Sequence, residues 1–442
     1  MKSRESRFKL NENGLLLDVN QKPKNFGSWF LLSFQHVFAM FGATVAVPLA
    51  LGMPVSVALF ASGIGTLIYI LCTGAQVPIY LGSSFGYLTA MAIAQQALGG
   101  DISASQTGLI MVGLVYVILA IILRFTGTKW LHKLLPPVVI GPMIMVIGLG
   151  LASYAVSQAG LTATNSNWKV MLVALISFGV SAFISTKAKG FLRIVPFLIS
   201  IVVSYLAAWA LGICDFTSVQ EASWIAVPSF SFPFDTGGVF GSYKFYFGPE
   251  TWAILPIVLV TVSEHIGDHS VIGKIVHRDF LEKPGLHRTL IGDGIATAVS
   301  AFIGGPANTT YGENTAVVGI TRVASVWVVG GAAVIAIVMS FLGKFTALIQ
   351  CMPAPVLGGL SIILYGVIAS NGLQTLIDNK VDFTKTRNLI IASSMLVIGL
   401  GGAVINLQIV SLSGTALAAI VGVVLNLVLP KDKEEKKEVK PE

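Results

Sequence analysis

Two carboxylic acids, Glu264 and Asp268, lie four residues apart inside one strongly apolar segment of this chain. At that spacing both side chains lie on the same face of a helix. Because two carboxylates this close in apolar surroundings cannot both ionise at low cost, we expect the pair to share one proton near neutral pH. Such a pair suits a proton-coupled carrier. The alternative is two neutral acids hydrogen-bonded to backbone in a packed core.

A third acid, Glu313, lies where the surrounding backbone favours binding of a polar ligand. It follows an extended-looking stretch, 306–311, and begins a short helix whose free N–H groups stabilise an acid or a polar ligand. Phe85 holds the matching position after a similar stretch, 77–82. An aromatic ring, backbone N–H groups and carboxyl acceptors suit a planar heterocycle with alternating N–H and C=O groups. Phe85 or Tyr311 alone is more typical of core packing, so the hypothesis depends on their position beside broken helices.

A pair of histidines in the same segment raises the alternative of a metal site. His265 and His269 are four residues apart, and together with Asp268 this spacing is compatible with zinc in an intramembrane hydrolase. Glu264, however, precedes the first histidine, whereas the HExxH pattern has its glutamate after it. We therefore predict no metal, no cofactor and no enzymatic activity, and expect His265 to bond a backbone carbonyl or a neighbouring helix.

Two other polar residues in apolar segments are expected to have structural roles. Asp293 lies five residues past Arg288, near the end of its segment, where we expect it to be solvated or paired. His36 lies 228 residues before Glu264, at the position that an internal repeat makes equivalent, and we expect it to hydrogen-bond across the core.

The composition places all these residues in a membrane protein. The chain has 442 residues, of which 11% are charged and 54% hydrophobic, with a mean hydropathy of +0.81. Soluble domains carry about 25% charged residues, so the composition excludes a soluble protein, and it equally excludes disorder. The net charge of +7 is spread over connectors and tails, which does not indicate nucleic-acid binding. Cys72, Cys214 and Cys351 form no metal or disulfide pattern, and no phosphate-binding GxxxxGK[ST] loop occurs.

Fourteen apolar segments are long enough, or nearly long enough, to cross a bilayer, for which a helix needs about 20 residues. The predicted spans are 28–48, 54–74, 85–100, 106–124, 134–155, 169–186, 191–213, 251–272, 288–304, 313–321, 324–342, 350–369, 387–404 and 412–429. The third and tenth spans are too short as helices alone, and each follows an extended stretch. We predict an all-α polytopic membrane protein with short strands in spans 3 and 10, placed inside the bundle because irregular backbone is not tolerated against lipid.

An internal repeat relates the two halves of the chain. Residues 136–141 resemble 353–358, and residues 78–85 resemble 306–313, which gives offsets of 217 and 228. Seven spans separate the members of each pair, and an odd number reverses direction across the membrane. The sequence therefore predicts a 7+7 inverted repeat, the architecture of secondary transporters. The alternative is chance similarity between segments rich in Pro and Gly.

Basic residues predict the orientation. With fourteen spans, both termini lie on one side, and 25 of the 28 Lys and Arg residues fall on that side. The exceptions are Lys169, Lys244 and Lys344. This asymmetry predicts that both termini are cytoplasmic. The resulting organisation is a cytoplasmic N-tail (1–27), a first repeat (28–213), an external loop (214–250), a second repeat (251–430) and a cytoplasmic C-tail (431–442).

Several motifs resemble the nucleobase–cation symporter-2 family, also called nucleobase/ascorbate transporters, and in particular its uracil-transporting branch. The matching segments are QHVFAMFGATVAVP (35–48), YLGSSF (80–85), EHIG (264–267), PGLHR (284–288), NTTYGEN (308–314) and ITRV (320–323). NTTYGEN is the most specific of them, and the resemblance extends from about residue 28 to 430.

The resemblance implies a core domain of spans 1–4 and 8–11 and a gate domain of spans 5–7 and 12–14, with a possible homodimer through the gate. It implies that the side chains at Glu264 and Glu313 bind the pyrimidine, that Phe85 and Tyr311 line the pocket, and that backbone at Phe85 and Gly312 contacts the base. It also implies proton symport centred on Glu264. Asp268 departs from the pattern, because a family histidine that faces a substrate carbonyl is replaced by a carboxylate, which donates a hydrogen bond only when protonated.

Residues and resemblance together predict a multi-pass protein of the plasma membrane that imports uracil by proton symport. An elevator-like shift of the core against the gate would carry the substrate, with Glu264 and Asp268 as the proton-coupling residues. Lipid is the only expected partner besides the substrate and a second copy. The alternatives are a purine (xanthine or urate) or other anion transporter on the same scaffold and, less favoured, the metal-dependent hydrolase.

Overall fold

The computed structural model describes residues 10–162, 167–189, 192, 195–406 and 411–430, and within them the chain is predominantly helical. The helices of the first half are α1 (Phe26–Ala50), α2 (Val55–Cys72), α3 (Leu88–Ala97), α4 (Ser103–Thr126), α5 (Lys129–Leu134), α6 (Pro137–Gly150), α7 (Ala152–Gln158), α8 (Trp168–Lys187), α9 (Pro196–Ala210) and α10 (Thr217–Glu221). Those of the second half are α11 (Pro249–Trp252), α12 (Val258–Val276), α13 (Leu286–Phe302), α14 (Gly312–Thr321), α15 (Val326–Ser340), α16 (Gly343–Gln350), α17 (Ala354–Asp378), α18 (Thr386–Leu400) and α19 (Gly414–Val428).

Three pairs of short strands accompany these helices. They are β1 (Leu81–Ser83) with β4 (Asn308–Thr310), β2 (Ser231–Phe232) with β3 (Gly241–Ser242), and β5 (Val404–Asn406) with β6 (Ser411–Ser413). Only the first pair joins the two halves of the chain. It is antiparallel, with Leu81 opposite Thr310 and Ser83 opposite Asn308. Strands therefore lie in the third and tenth segments, where the sequence predicts them, and all their residues are buried.

The pairing continues past both strands. The Tyr311 N–H donates to the Tyr80 carbonyl at 3.0 Å, and the Ser84 N–H donates to the Ala307 carbonyl at 2.8 Å. These bonds satisfy backbone groups that no helix pairs, as required of extended chain in an apolar interior. α3 and α14 begin directly after the crossing, so both short helices start near the middle of the bundle.

The helices pack as two groups. The first helix group contains α1–α4 and α12–α15, and the second contains α6–α9 and α17–α19. The contacts of each half mirror those of the other. In the first group, α2 packs on α13 and α15, and its counterpart α13 packs on α2 and α4. In the second group, α6 packs on α17 and α18, and its counterpart α17 packs on α6 and α8. Such reciprocity is what two inverted halves would produce. That the two groups are the predicted core and gate domains, and that one moves against the other, remains a prediction.

Each of the fourteen predicted segments contains a helix, with differences in detail. Six helical stretches are long and apolar enough to cross a membrane: Phe26–Ala50, Val55–Cys72, Ser103–Thr126, Pro137–Gln158, Trp168–Lys187 and Ala354–Asp378. Shorter apolar helices of 10–17 residues include Pro196–Ala210, Val326–Ser340, Thr386–Leu400 and Gly414–Val428. The count of fourteen crossings therefore remains a prediction. The eighth segment begins with α11 and a 3-10 turn, so its long helix starts only at Val258.

Residues 10–25, here the N-terminal segment, pack against one end of the first helix group, which we call the tail end. Leu15 and Val19 are fully buried. The Ala324 and Val326 N–H groups donate to the Leu17 and Val19 carbonyls, both at 2.9 Å. This part of the predicted N-tail is thus folded onto the helices. The predicted C-tail, 431–442, lies outside the described residues.

The loop between the halves, 214–249, covers the opposite end of the first helix group, here the loop end. The Ser231 N–H donates to the Ile303 carbonyl at 3.1 Å, and the Ala226 N–H donates to the Phe341 carbonyl at 2.9 Å. The Tyr246 N–H donates to Thr107 Oγ1 at 3.0 Å. The loop is therefore anchored to α13, α15 and α4.

Candidate functional site

The first two acids lie on α12, beside the strand crossing. Asp268 Oδ2 accepts a hydrogen bond from the Thr310 hydroxyl at the end of β4. Glu264 Oε2 is buried and has no hydrogen-bond partner. A buried carboxyl oxygen without a partner is costly, so such a position calls for a bound proton, a water molecule or a ligand.

The third acid approaches the same place from α14. Glu313 lies in the first turn of that helix, where backbone N–H groups have no partner within the helix. Asp268, Asp293 and Glu313 are near enough to Glu264 for their carboxylates, when ionised, to disfavour a negative charge on it. A methyl group placed on Gly312 would meet Asp268 Oδ1 at 3.9 Å, so the start of α14 faces α12 directly. The structure thus brings Glu264, Asp268 and Glu313 together.

Phe85 lies at the interface of the two helix groups. It is 8% exposed and its ring meets that of Tyr365 on α17 edge-on, with centroids 5.5 Å apart. Phe85 follows β1 and belongs to the first group, whereas Tyr365 belongs to the second. Nothing in the local sequence pattern distinguishes Tyr365 from a core aromatic residue, so its position is not predictable from the sequence.

Tyr311 is part of the crossing itself. Its hydroxyl donates to the Ser83 carbonyl at 3.0 Å and accepts from Thr44 Oγ1 at 3.2 Å. A side chain on Gly82 would overlap the Tyr311 ring. The hydroxyl is therefore occupied by protein partners, and so are the backbone N–H, which donates to Tyr80, and the carbonyl, which accepts from Thr315. The ring is the part of Tyr311 that remains for a substrate.

Buried polar atoms without partners are concentrated around this site. In the part of the chain that the structure describes, nine buried side-chain atoms lack a partner, and six of them are on the strand crossing, α12, α13 or α14. These six residues are Ser84, Glu264, Asp293, Thr309, Asn314 and Thr315. Native interiors satisfy most such groups, so this part of the bundle holds an unusual share of the unpaired polar atoms.

Asp293 is paired rather than solvated, which is one of the two expected outcomes. It is 1% exposed, and its Oδ2 lies 2.8 Å from Nδ1 of His265. Asp293 faces α12 inside the bundle, where the imidazole takes the place of water. His265 does contact a neighbouring helix as predicted, since its Nε2 lies 2.9 Å from the Thr289 hydroxyl on α13.

The other histidines are also engaged. Nδ1 and Nε2 of His269 lie 2.6 Å from the His265 carbonyl and 2.5 Å from the Tyr69 hydroxyl. The Asn314 amide donates to His36 Nδ1 at 3.1 Å, so His36 bonds across the core to α14, as predicted. Among the described residues, no group of three or more His, Cys, Asp and Glu is arranged to hold a metal ion.

Sequence comparison identifies close relatives along nearly the whole chain. A profile of the Permease family matches residues 27–408. A uracil permease from Bacillus caldolyticus is 49% identical over 425 residues, which are 95% of this chain and 95% of that protein. A uracil permease from Escherichia coli strain K12 is 41% identical over 400 residues, 90% of each chain. Permeases are transporters, which agrees with the prediction that the chain is not an enzyme.

Structural comparison extends the likeness in fold to distant transporters. The transmembrane domain of a cyanobacterial bicarbonate transporter, BicA, aligns with a TM-score of 0.63 at 15% identity, covering 92% of this chain and 99% of that one. The murine Solute Carrier 26 family member A9 anion transporter, in its inward-facing state, aligns with a TM-score of 0.67 at 12% identity, covering 92% and 69%. With its apolar helices, the chain is a multi-pass membrane protein.

Proposed function

This chain belongs to the Permease family, the nucleobase–cation symporter-2 proteins, and we propose that it imports uracil together with a proton. The observation that carries this proposal is the buried, unpartnered Oε2 of Glu264, within electrostatic reach of Asp268 and Glu313 and beside the β1–β4 crossing. The names of the relatives support uracil as the substrate.

The chemistry of uracil matches the groups at this site. Its ring N–H groups are donors for the carboxyl oxygens of Glu264 and Glu313, and its carbonyls are acceptors for backbone N–H groups at Gly312 and Phe85. The Phe85 ring supplies a flat apolar wall. Asp268 contacts a substrate carbonyl only while it carries a proton, which couples its protonation to binding.

Protonation of Glu264, with or without Asp268, lowers the charge of the site before it crosses the apolar barrier. The first helix group then shifts against the second as an elevator, carrying the substrate, and release of the proton on the alkaline cytoplasmic side weakens uracil binding. The separation of the helices into two groups supports this mechanism. The distribution of Lys and Arg supports a plasma-membrane orientation with both termini in the cytoplasm. A homodimer through the second group belongs to the same proposal.

The experiment is uptake of labelled uracil into proteoliposomes under an imposed pH gradient, with and without a sodium gradient. We expect accumulation driven by the pH gradient alone. Glu264→Gln should abolish accumulation, because the amide cannot release a proton, whereas Glu282→Gln, at an exposed acid, should leave it unchanged. Normal pH-driven accumulation by Glu264→Gln would refute the assignment.

The alternative on the same scaffold is a purine or another anion as substrate. Competition distinguishes the two: excess unlabelled uracil should suppress uptake of the label, while xanthine, urate and sulfate should not. Stronger suppression by xanthine or sulfate than by uracil would show that uracil is not the main substrate, while the assignment as a transporter would still hold.

A further inference from the structure

Two histidines on α12 point to a different face from the two acids beside them. Successive residues on an α-helix are about 100° apart around its axis. His265 is adjacent to Glu264 and His269 to Asp268, so the histidine face is rotated by that angle from the acid face. Both imidazoles are buried and stacked on each other, with ring centroids 4.0 Å apart.

The hydrogen bonds of His269 have a defined direction. A carbonyl oxygen only accepts, so His269 Nδ1 donates to the His265 carbonyl at 2.6 Å. In the neutral ring Nε2 is then an acceptor, and it receives the Tyr69 hydroxyl at 2.5 Å. His269 therefore connects α12 to α2 with both nitrogens satisfied.

His265 connects α12 to α13 in the same way. The Thr289 hydroxyl donates to the Leu286 carbonyl at 3.0 Å, so its oxygen is free to accept from His265 Nε2 at 2.9 Å. Nδ1 then shares one proton with Asp293 Oδ2 across 2.8 Å. The imidazole is thus held at both ends by a single helix.

We propose that His265 and His269 are positioning residues that fix the rotation of α12 about its axis and thereby aim Glu264 and Asp268 into the site. On the histidine side, α12 is joined to α13 and to α2 through these polar side-chain bridges. Apolar side chains there would fill space but tolerate a turn of the helix. A satisfied buried polar network instead specifies one arrangement.

This inference rests on the proposed function, because it concerns how that site binds uracil. A rotation of α12 moves both carboxyl groups together, so loss of the bridges should weaken binding without removing any group that touches the substrate. Thr289→Val is the mildest test, since it removes the hydroxyl that His265 contacts and keeps the side-chain shape. His265→Ala removes both bridges to α13.

Binding of uracil to the purified full-length protein, measured by calorimetry, is the first readout. We expect Thr289→Val and His265→Ala to raise Kd tenfold or more. His265→Asn should restore Kd to within threefold of wild type, because its amide places a polar atom near the Nδ1 position. If the His265→Ala protein does not fold, the Kd of the isosteric Thr289→Val protein alone tests the proposal.

A matched control separates positioning from general stability. Asn426 in α19 is 8% exposed and bonds the Lys133 carbonyl at 2.9 Å, far from α12 in sequence and in the second helix group. Asn426→Ala should lower the melting temperature yet leave Kd unchanged. Wild-type Kd in both Thr289→Val and His265→Ala, or an equal loss of binding in Asn426→Ala, would overturn the proposal.

A second readout needs no substrate. A side chain at Gly267 on α12 would meet no atom within 4 Å, so a cysteine there is tolerated and reports the rotation of the helix. With Cys72, Cys214 and Cys351 replaced by alanine, we expect Thr289→Val to change the rate at which Gly267→Cys reacts with a water-soluble maleimide at least threefold. An unchanged rate contradicts the inference about α12, whereas a wild-type protein that fails to bind uracil contradicts only the proposed function.

Discussion

Gly82 shows how tightly the strand crossing is built at the scale of one residue. A Cβ atom at this position would overlap the ring of Tyr311, whose hydroxyl is fixed by Ser83 and Thr44. The ring cannot move aside without losing those bonds. The close approach of β1 to Tyr311 therefore requires glycine.

We predict that Gly82→Ala destabilises the protein by about 1–3 kcal/mol, the usual cost of overpacking, and weakens uracil binding. The measurements are the melting temperature and the Kd for uracil. The matched control is Gly366→Ala in α17, where a Cβ would meet no atom within 4 Å and the change should stay within about 1 kcal/mol. Equal effects of the two substitutions would contradict this account of the crossing.

At the residue scale, the acids can be identified from the sequence because charge inside an apolar segment is visible without a structure. Glu264, Asp268 and Glu313 lie in one region of the structure, and their contact with substrate remains a prediction. Their protein partners are not predictable from the sequence. Thr310 lies inside a recognised motif but gave no sign that it bonds Asp268, and Tyr69 is 200 residues from His269.

At the scale of elements, the N-terminal segment lies across the tail end of the first helix group and pairs with residues 322–326. Leu15 is fully buried in it, whereas the ion pair between Asp18 and Arg278, at 2.9 Å, is 22% and 36% exposed. Partly exposed ion pairs contribute up to about 1 kcal/mol, while truncating a buried leucine costs about 2–5 kcal/mol. Apolar burial therefore dominates the attachment.

We predict that Leu15→Ala lowers the melting temperature more than Asp18→Ala does, and that Leu10→Ala, at a residue 55% exposed, has the smallest effect. Hydrogen exchange of the Ala324 and Val326 amides should rise in the same order, because these N–H groups donate to carbonyls of the segment. A larger effect from Asp18→Ala than from Leu15→Ala would show that the ion pair holds the segment.

Elements were predictable where their signal is local. Long apolar runs located the helices, and extended stretches before two short helices located β1 and β4. The N-terminal segment was expected to be a polar tail, because its pairing with 322–326 joins residues some 300 positions apart and its burial leaves no periodic pattern. The break between α6 and α7 at Leu151 was missed for a similar reason, since apolar residues continue through it.

For the whole molecule, the proposed elevator requires the two helix groups to slide past each other. Gly42 on α1 and Phe197 on α9 face each other across their boundary, with 3.1 Å between a Cβ built at Gly42 and the Phe197 Cβ. Disulfides require Cβ atoms about 3.8 Å apart, so two cysteines here are close enough to bridge after a small adjustment.

We predict that oxidised Gly42→Cys/Phe197→Cys loses uracil uptake but still binds uracil, and that dithiothreitol restores uptake. The control is Gly399→Cys/Ala418→Cys, which joins α18 and α19 inside the second group at the same Cβ distance of 3.1 Å. Both cysteine pairs are made with Val146→Ala, because a Cβ at Gly399 would lie 2.6 Å from Val146 Cγ1. That bridge should leave uptake unchanged. Undiminished uptake by the fully oxidised Gly42–Phe197 pair would refute relative motion at this boundary.

The strand crossing also dictates an order of assembly during synthesis. Ser83 pairs with Asn308, which leaves the ribosome 225 residues later. Until then, the backbone groups of β1 lack their permanent partners, and each unpaired group in hydrocarbon costs several kcal/mol. Until β4 has been synthesised, the unpaired backbone groups of β1 must therefore be kept out of lipid by neighbouring helices, by insertion machinery or by water. The candidate site is completed only when β4 of the second half pairs with β1, which is a late step in the biogenesis of the protein.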